Sequence, residues 1–284
     1  MEKSNDRGIV YIATGADFVE ETRISAESAK SVMPDIPITL FTDLEIDMPV
    51  FDRVVQIENP RHDFGDQVYH LDKTPYERTV FFDSDIYVDE SVEDLFDILD
   101  EFDIAAAHNQ TNWSSKRVDY KAIDALPDCF PEYNSGVVAF KLTPTVSDFF
   151  KTWRETYAEV LDKGQIHNQA AFRLALYRSD VRIATLPSEY NCVFRRSGCV
   201  NGQIKIFHGR LHEMDTPGAG MSVDIDQAID ELNSRTNLRS YYRLGDEVRL
   251  SNPSLVRRSL HSVQTRGVVE TTKRIAGFLK RKMV

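Results

Sequence analysis

Residues 78–88, RTVFFDSDIYV, decide how the rest of the chain is read. The apolar run Val80-Phe81-Phe82 ends in two aspartates, Asp83 and Asp85, with only Ser84 between them. A short run of aromatic and β-branched residues is the pattern of a buried strand, so the aspartates fall on the turn at its carboxyl end. Two carboxylates at positions i and i+2 repel each other unless a positive charge lies close by. A hard divalent cation, Mg²⁺ or Mn²⁺, satisfies both, usually with phosphate oxygens filling its remaining positions. Short acidic turns also arise by chance, with one aspartate capping the strand and the other facing water, so the flanking pattern has to decide.

Working outward, RGIVYIATG at 7–15 reads as a first buried strand, and 17–32 as a helix behind an Asp17 cap, ended by Pro34. IPITLFTD at 36–43 and FDRVVQI at 51–57 are strand-like; a helix follows over 65–75, stopped by Pro75. After the aspartates, SVEDLFDILDEF predicts a helix capped by Ser91, with Asp94 at the capping-box spacing. FDIAAAH and YNSGVVAFKL read as strands, 144–161 and 166–178 as helices, and VRIATLP and IKIFHG as two last strands. Alternating strands and helices imply a mostly parallel central sheet flanked by helices, with ligands gathering at the carboxyl ends of strands. Beyond residue 212 the periodicity weakens, with one helical candidate in VDIDQAIDELN. From 255 the charge turns basic, and Val268, Ile275, Leu279 and Met283 share one face of a tail helix. Such a helix suits an anionic membrane surface, or equally the acidic body of its own chain.

The 284 residues, 42% hydrophobic, are enough for one sizeable core. A net charge of −11 argues against nucleic acid as a partner. No apolar stretch is long enough to cross a bilayer and the start carries no signal-peptide pattern, so a cytoplasmic protein is expected, with peripheral membrane contact through the tail as an option. Cys129, Cys192 and Cys199 are too few and too irregularly spaced for a disulfide framework.

TPYERTVFFDSDIYVDESVEDLFDIL at 74–99 resembles the D-x-D region of metal-dependent glycosyltransferases of the GT-A fold, closest to the family 8 type that includes glycogenins and bacterial galactosyltransferases. Four more stretches follow in that family's order: EYNSGVVAF at 132–140, HNQAAFR at 167–173, LPSEYN at 186–191 and IKIFHGR at 204–210. The likeness spans about residues 8–212. It implies a nucleotide-sugar-binding and catalytic domain over 1–212, followed by a C-terminal helical extension over 213–284.

Carried over by position, the resemblance implies that Asp83, Asp85 and His208 hold Mn²⁺ or Mg²⁺, with Asp85 closest to both cation and diphosphate. Ala13, Thr14 and Gly15 would receive the nucleobase, with Asp43 as a further candidate, and Ser84, Asn134, Ser135 and Gly136 would line the donor sugar. Gln169 would lie near the anomeric carbon. Asn168 departs from the family, which usually has Asp there. Lys73 or Arg78 before the strand, and Arg210 after His208, are the cations available to the diphosphate.

The implied activity is transfer of a sugar from a nucleotide-diphospho sugar, UDP-sugar favoured, to a hydroxyl of a glycan, lipid-linked or small-molecule acceptor, with retention; a homodimer is left open. Two other readings compete. One is a phosphatase of the haloacid dehalogenase type, whose nucleophile also sits in an apolar D-x-D turn, although no later Gly-Asp-x-x-x-Asp turn is found. The other is a nucleotide-sugar-binding protein without turnover.

Overall fold

The computed structural model describes residues 6–109, 126–127, 129–209, 224–244, 247–251, 260, 262–264, 266–273 and 275. In chain order these form β1 (Arg7–Ile12), α1 (Ala16–Val32), β2 (Ile38–Thr42), β3 (Arg53–Gln56), α2 (Gly65–His70), β4 (Arg78–Phe82), β5 (Ile86–Val88), α3 (Asp94–Asp97), β6 (Ile104–His108) and β7 (Tyr133–Lys141). There follow α4 (Pro144–Leu161), α5 (Gln169–Arg178), β8 (Ile183–Leu186), β9 (Cys192–Val193), β10 (Gly198–Val200), β11 (Ile206–His208), α6 (Ile225–Asn233), β12 (Arg239–Leu244) and β13 (Glu247–Leu250).

Seven strands make the central sheet in the order β3-β2-β1-β4-β7-β6-β8. All its pairings are parallel except those of β7, which runs against both neighbours, β4 and β6. Residues alternate across the sheet as a pleated strand requires. Val80 and Phe82 join Ile9, Tyr11, Leu40 and the buried side of α1, whereas Phe81 joins Val10, Phe41 and the aromatic residues of α4 and α5. The mostly parallel, helix-flanked sheet expected from the sequence is therefore present.

β7 is what positions the site. Being antiparallel, it begins where β4 ends: Phe82 pairs with Val137, and the Asp83 amide donates to the Gly136 carbonyl at 2.9 Å. Asn134, Ser135 and Gly136 thus lie beside the aspartate turn. A second sheet, β5-β11-β9, does the same for His208, which pairs with Ile86, the residue after Asp85. A third, β10-β12-β13, encloses with α6 a small core of Cys192, Phe194, Phe207, Leu232, Tyr241 and Val248. Strands β12 and β13 escape the sequence reading, although their alternating residues flank a Gly-Asp turn signal.

Several helix ends differ from expectation. α1 starts after Gly15 with no side-chain cap, and Asp17 lies within its first turn. α2 closes at His70 and passes into a 3₁₀ turn, Leu71–Lys73. The capping box at Ser91 does not form. α3 is one turn, preceded by Glu93, and the shorter Asp94 side chain instead meets the Tyr190 hydroxyl and, at 3.3 Å, Lys205. α4 is capped as its sequence suggests, with Thr143 accepting from the Val146 amide and Pro144 in the first turn. Leu279 and Met283 of the proposed tail face lie outside the described residues, and Val268 and Ile275 are exposed. Among the described residues no helix is long and apolar enough to cross a membrane.

Trp153 of α4 is fully buried against Phe149, Phe150 and Phe172, and its Nε1 donates to the Asn168 carbonyl at 3.3 Å. Replacing Trp153 by Ala should cost about 3–5 kcal/mol, read as a lower midpoint in guanidinium unfolding.

Candidate active site

Asp83, Asp85 and His208 converge so that one ligand atom from each lies within 4.8 Å of the others. The His208 Nε2 is 3.2 Å from the Asp85 carboxylate and 3.9 Å from that of Asp83. Asp85 and His208 are buried and Asp83 is half-buried at the rim. A relay of amides fixes the imidazole. The Gly136 amide and the Asn191 Nδ2 both donate to Asn134 Oδ1, at 2.8 and 3.0 Å, which sets the orientation of Asn191. Asn191 Oδ1 then faces His208 Nδ1 at 2.7 Å, an acceptor that keeps the proton on Nδ1 and leaves the Nε2 lone pair toward the aspartates. Gly136 is required at this point. A Cβ there would lie 2.5 Å from the His208 ring and 2.6 Å from Asp83 Oδ2. Two carboxylate oxygens and a neutral imidazole around a space kept free by a glycine suit a divalent cation such as Mn²⁺ or Mg²⁺.

The electrostatics agree. Desolvation in the cup pushes the Asp83 carboxyl up to about 7; His208 opposes that rise, and Asp85 and Glu21 add to it. Burial by itself would depress the His208 imidazole, but Asp85, and then Asp83, outweigh it and raise it above its ordinary value. The cluster therefore holds protons near neutrality that a cation would displace.

Next to the cup lies a buried amide network. Ser135 donates its hydroxyl to Asn168 Oδ1 at 3.2 Å, and its carbonyl accepts from Gln67 Nε2 at 2.8 Å. The Asn168 amide nitrogen donates to Gln67 Oε1 at 2.6 Å and to the Phe64 carbonyl at 3.0 Å. Both donors and an acceptor site of Asn168 are thus occupied within the protein, which ties α5 to α2 and β7. Gln169, one residue on, gives its Nε2 to Glu132 Oε1 at 2.5 Å, and the same oxygen accepts from Asn109 Nδ2 at 2.6 Å.

The first turn is built as a cradle. Gly15 has φ +87° and open space where a side chain would be; its amide donates to Asp43 at 2.8 Å. Ala13 is buried and extends the pairing with Phe41. Thr14 donates to buried Asp66, which also accepts from the Arg61 and His62 amides. The remaining described candidates have partners of their own. The Ser84 hydroxyl donates to Glu21 on α1. Lys73 pairs with His70, next to Thr74, whose hydroxyl meets Thr79 at the amino end of β4, opposite to Asp83. Arg78 is paired with Asp100 at 2.7 Å. Arg210 lies outside the described residues. Among the described residues, the cation that reaches the cup is Arg195, its Nη2 3.6 Å from Asp85. Sequence reasoning missed Gln67 and Arg195, which lie in none of the quoted motifs, and Glu132 and Asn191, although EYNSGVVAF and LPSEYN contain them.

Two outcomes are expected. Since a bound cation would displace protons from Asp83 and His208, Mn²⁺ affinity measured by calorimetry should fall as the pH drops below the Asp83 value of about 7, by roughly tenfold per pH unit and displaced proton. Asn168→Asp would turn a carboxylate toward two carbonyl oxygens and should lower unfolding stability by about 1–3 kcal/mol, measured by urea denaturation at pH 7.

No protein-family model matches the chain, and no curated protein does. Solved structures do. The galactosyltransferase LgtC, crystallised with donor and acceptor sugar analogs, superposes with a TM-score of 0.53 at 16% identity, over 75% of this chain and 92% of that one. The apo-form glycosyltransferase GlyE of Streptococcus pneumoniae TIGR4 gives 0.54 at 15%, over 77% and 57%. The bifunctional glycosyltransferase WbbM gives 0.50 at 14%, over 73% and 46%. The chain thus spans nearly all of the first and about half of the other two. At these identities the likeness is one of architecture, and the chain has the GT-A fold of these sugar transferases.

Proposed function

We propose that the protein is a metal-dependent glycosyltransferase that moves a sugar from a nucleotide-diphospho sugar, a UDP-sugar first among the candidates, to an acceptor hydroxyl with retention of configuration. The observation that carries this reading is the convergence of Asp83, Asp85 and His208 beside Gly136. The fold shared with known sugar transferases supports it.

Asp83, Asp85 and His208 would hold the cation, which when bound supplies Lewis-acid charge against the leaving diphosphate. The chain's own residues do the rest. Asn191 fixes the imidazole, and Gly136 keeps the floor of the cup low enough for the donor. Gly15, Thr14 and Asp43 form the cradle assigned to the nucleobase, and Asn134 and Ser135 the wall assigned to the sugar. With its Nε2 engaged by Glu132, Gln169 has its Oε1 available to the anomeric centre, the role retention asks of it. Asn168 acts through Ser135 and Gln67, as a positioning residue. A glycan acceptor fits this chemistry; a lipid-linked one would use the basic tail at an anionic cytoplasmic membrane face.

The test is a melting-shift and calorimetric screen of UDP- and GDP-sugars with and without Mn²⁺. At a donor concentration near 100 times Kd, stabilisation by about 2.7 kcal/mol is expected, only with metal and lost in Asp85→Ala. Absence of any shift, or turnover of p-nitrophenyl phosphate in place of nucleotide sugar, would overturn the assignment.

A further inference from the structure

Arg195 lies on the turn between β9 and β10, closed by the Arg196 amide donating to the Val193 carbonyl at 3.2 Å. Its side chain crosses Gly209, the residue after His208. A Cβ on Gly209 would fall 2.3 Å from the Arg195 Nε and 3.1 Å from its Cδ, and Gly209 has φ +106°, which other residues rarely adopt. The Gly209 amide donates to the Asp85 carbonyl at 3.1 Å, so strand end, aspartate turn and arginine close on one another. The guanidinium reaches the cup with Nη2 3.6 Å from Asp85 Oδ2, and among the described residues its buried Nε has no hydrogen-bond partner.

Asp85 pairs with this guanidinium, but a divalent cation would take the same carboxylate, and the two positive charges then repel unless a further anion bridges them. A diphosphate does so: one face meets the metal, and the other meets the planar fork of an arginine. We infer that Arg195 is a catalytic residue, the cation that binds the diphosphate of the donor and stabilises it as it leaves. The inference rests on the proposed function above, and it places a positive charge on a loop that no motif marks, not on Lys73 or Arg78, which are paired at the other end of β4; Arg210, the other candidate, lies outside the described residues.

Binding of UDP, UMP, GDP and GMP to the full chain with saturating Mn²⁺ separates the possibilities. If the wild-type protein binds no nucleoside diphosphate, the proposed function itself fails. If it does, Arg195→Met should lose about 10- to 100-fold in diphosphate affinity while its monophosphate affinity stays within about twofold. Arg195→Lys should fall between. Mn²⁺ binding without nucleotide should be unchanged or tighter in Arg195→Met, because a like charge has been removed; this also shows that the variant is folded. Unchanged diphosphate binding, or equal losses for mono- and diphosphate, would overturn the assignment of Arg195.

Discussion

The hydrogen bond from the Asp83 amide to the Gly136 carbonyl joins the end of one strand to the start of another that runs the opposite way. Without that reversal, the Asn-Ser-Gly segment would sit at the far edge of the sheet. With it, the end of β4 and the start of β7 deliver their polar residues to one place. The small β5-β11-β9 sheet repeats the device for His208. Three separate stretches of chain are thus brought together by backbone pairing, which fixes position more tightly than side-chain contacts on loops could.

A cluster of this kind is electrostatically awkward by itself. Asp83, Asp85 and Glu21 gather negative charge in a poorly hydrated place, and the protein answers with His208, Arg195 and a set of oriented amides. The neighbouring network of Gln67, Ser135 and Asn168 is neutral throughout. An aspartate at position 168 would have added a fourth charge and removed two donors. The asparagine keeps helix α5 clamped at no electrostatic cost.

The parallel framework was legible because strands buried on both faces read as continuous apolar runs, and the helices between them show their period. Asp83, Asp85 and His208 were legible because spacing and motif order mark them. Gln67 and Asn168 stand 101 residues apart and meet only in the folded chain, so neither pattern nor composition points to their pairing. Lys73 shows the opposite error: nearness in sequence to a strand does not tell which end of the strand a side chain serves. Strands β12 and β13 were missed because their run is half polar, the mark of a sheet with one wet face.

Because β6 ends at the same edge where β7 begins, residues 109 and 132 face each other across the site. Asn109 and Glu132 are joined there twice, amide to carbonyl at 2.8 Å and side chain to side chain at 2.6 Å. This clasp fixes the ends of β6 and β7 against each other, and the Phe130 carbonyl, accepting from Arg173, adds a second tie to α5. Doubling the length of a flexible loop costs only about 0.6 kcal/mol in closure entropy, whereas loss of Leu126 or Phe130 would remove packing on the core. A redesign that keeps Leu126, Phe130 and the Asn109–Glu132 clasp would leave β6, β7 and the Asp83–Asp85–His208 cluster in place.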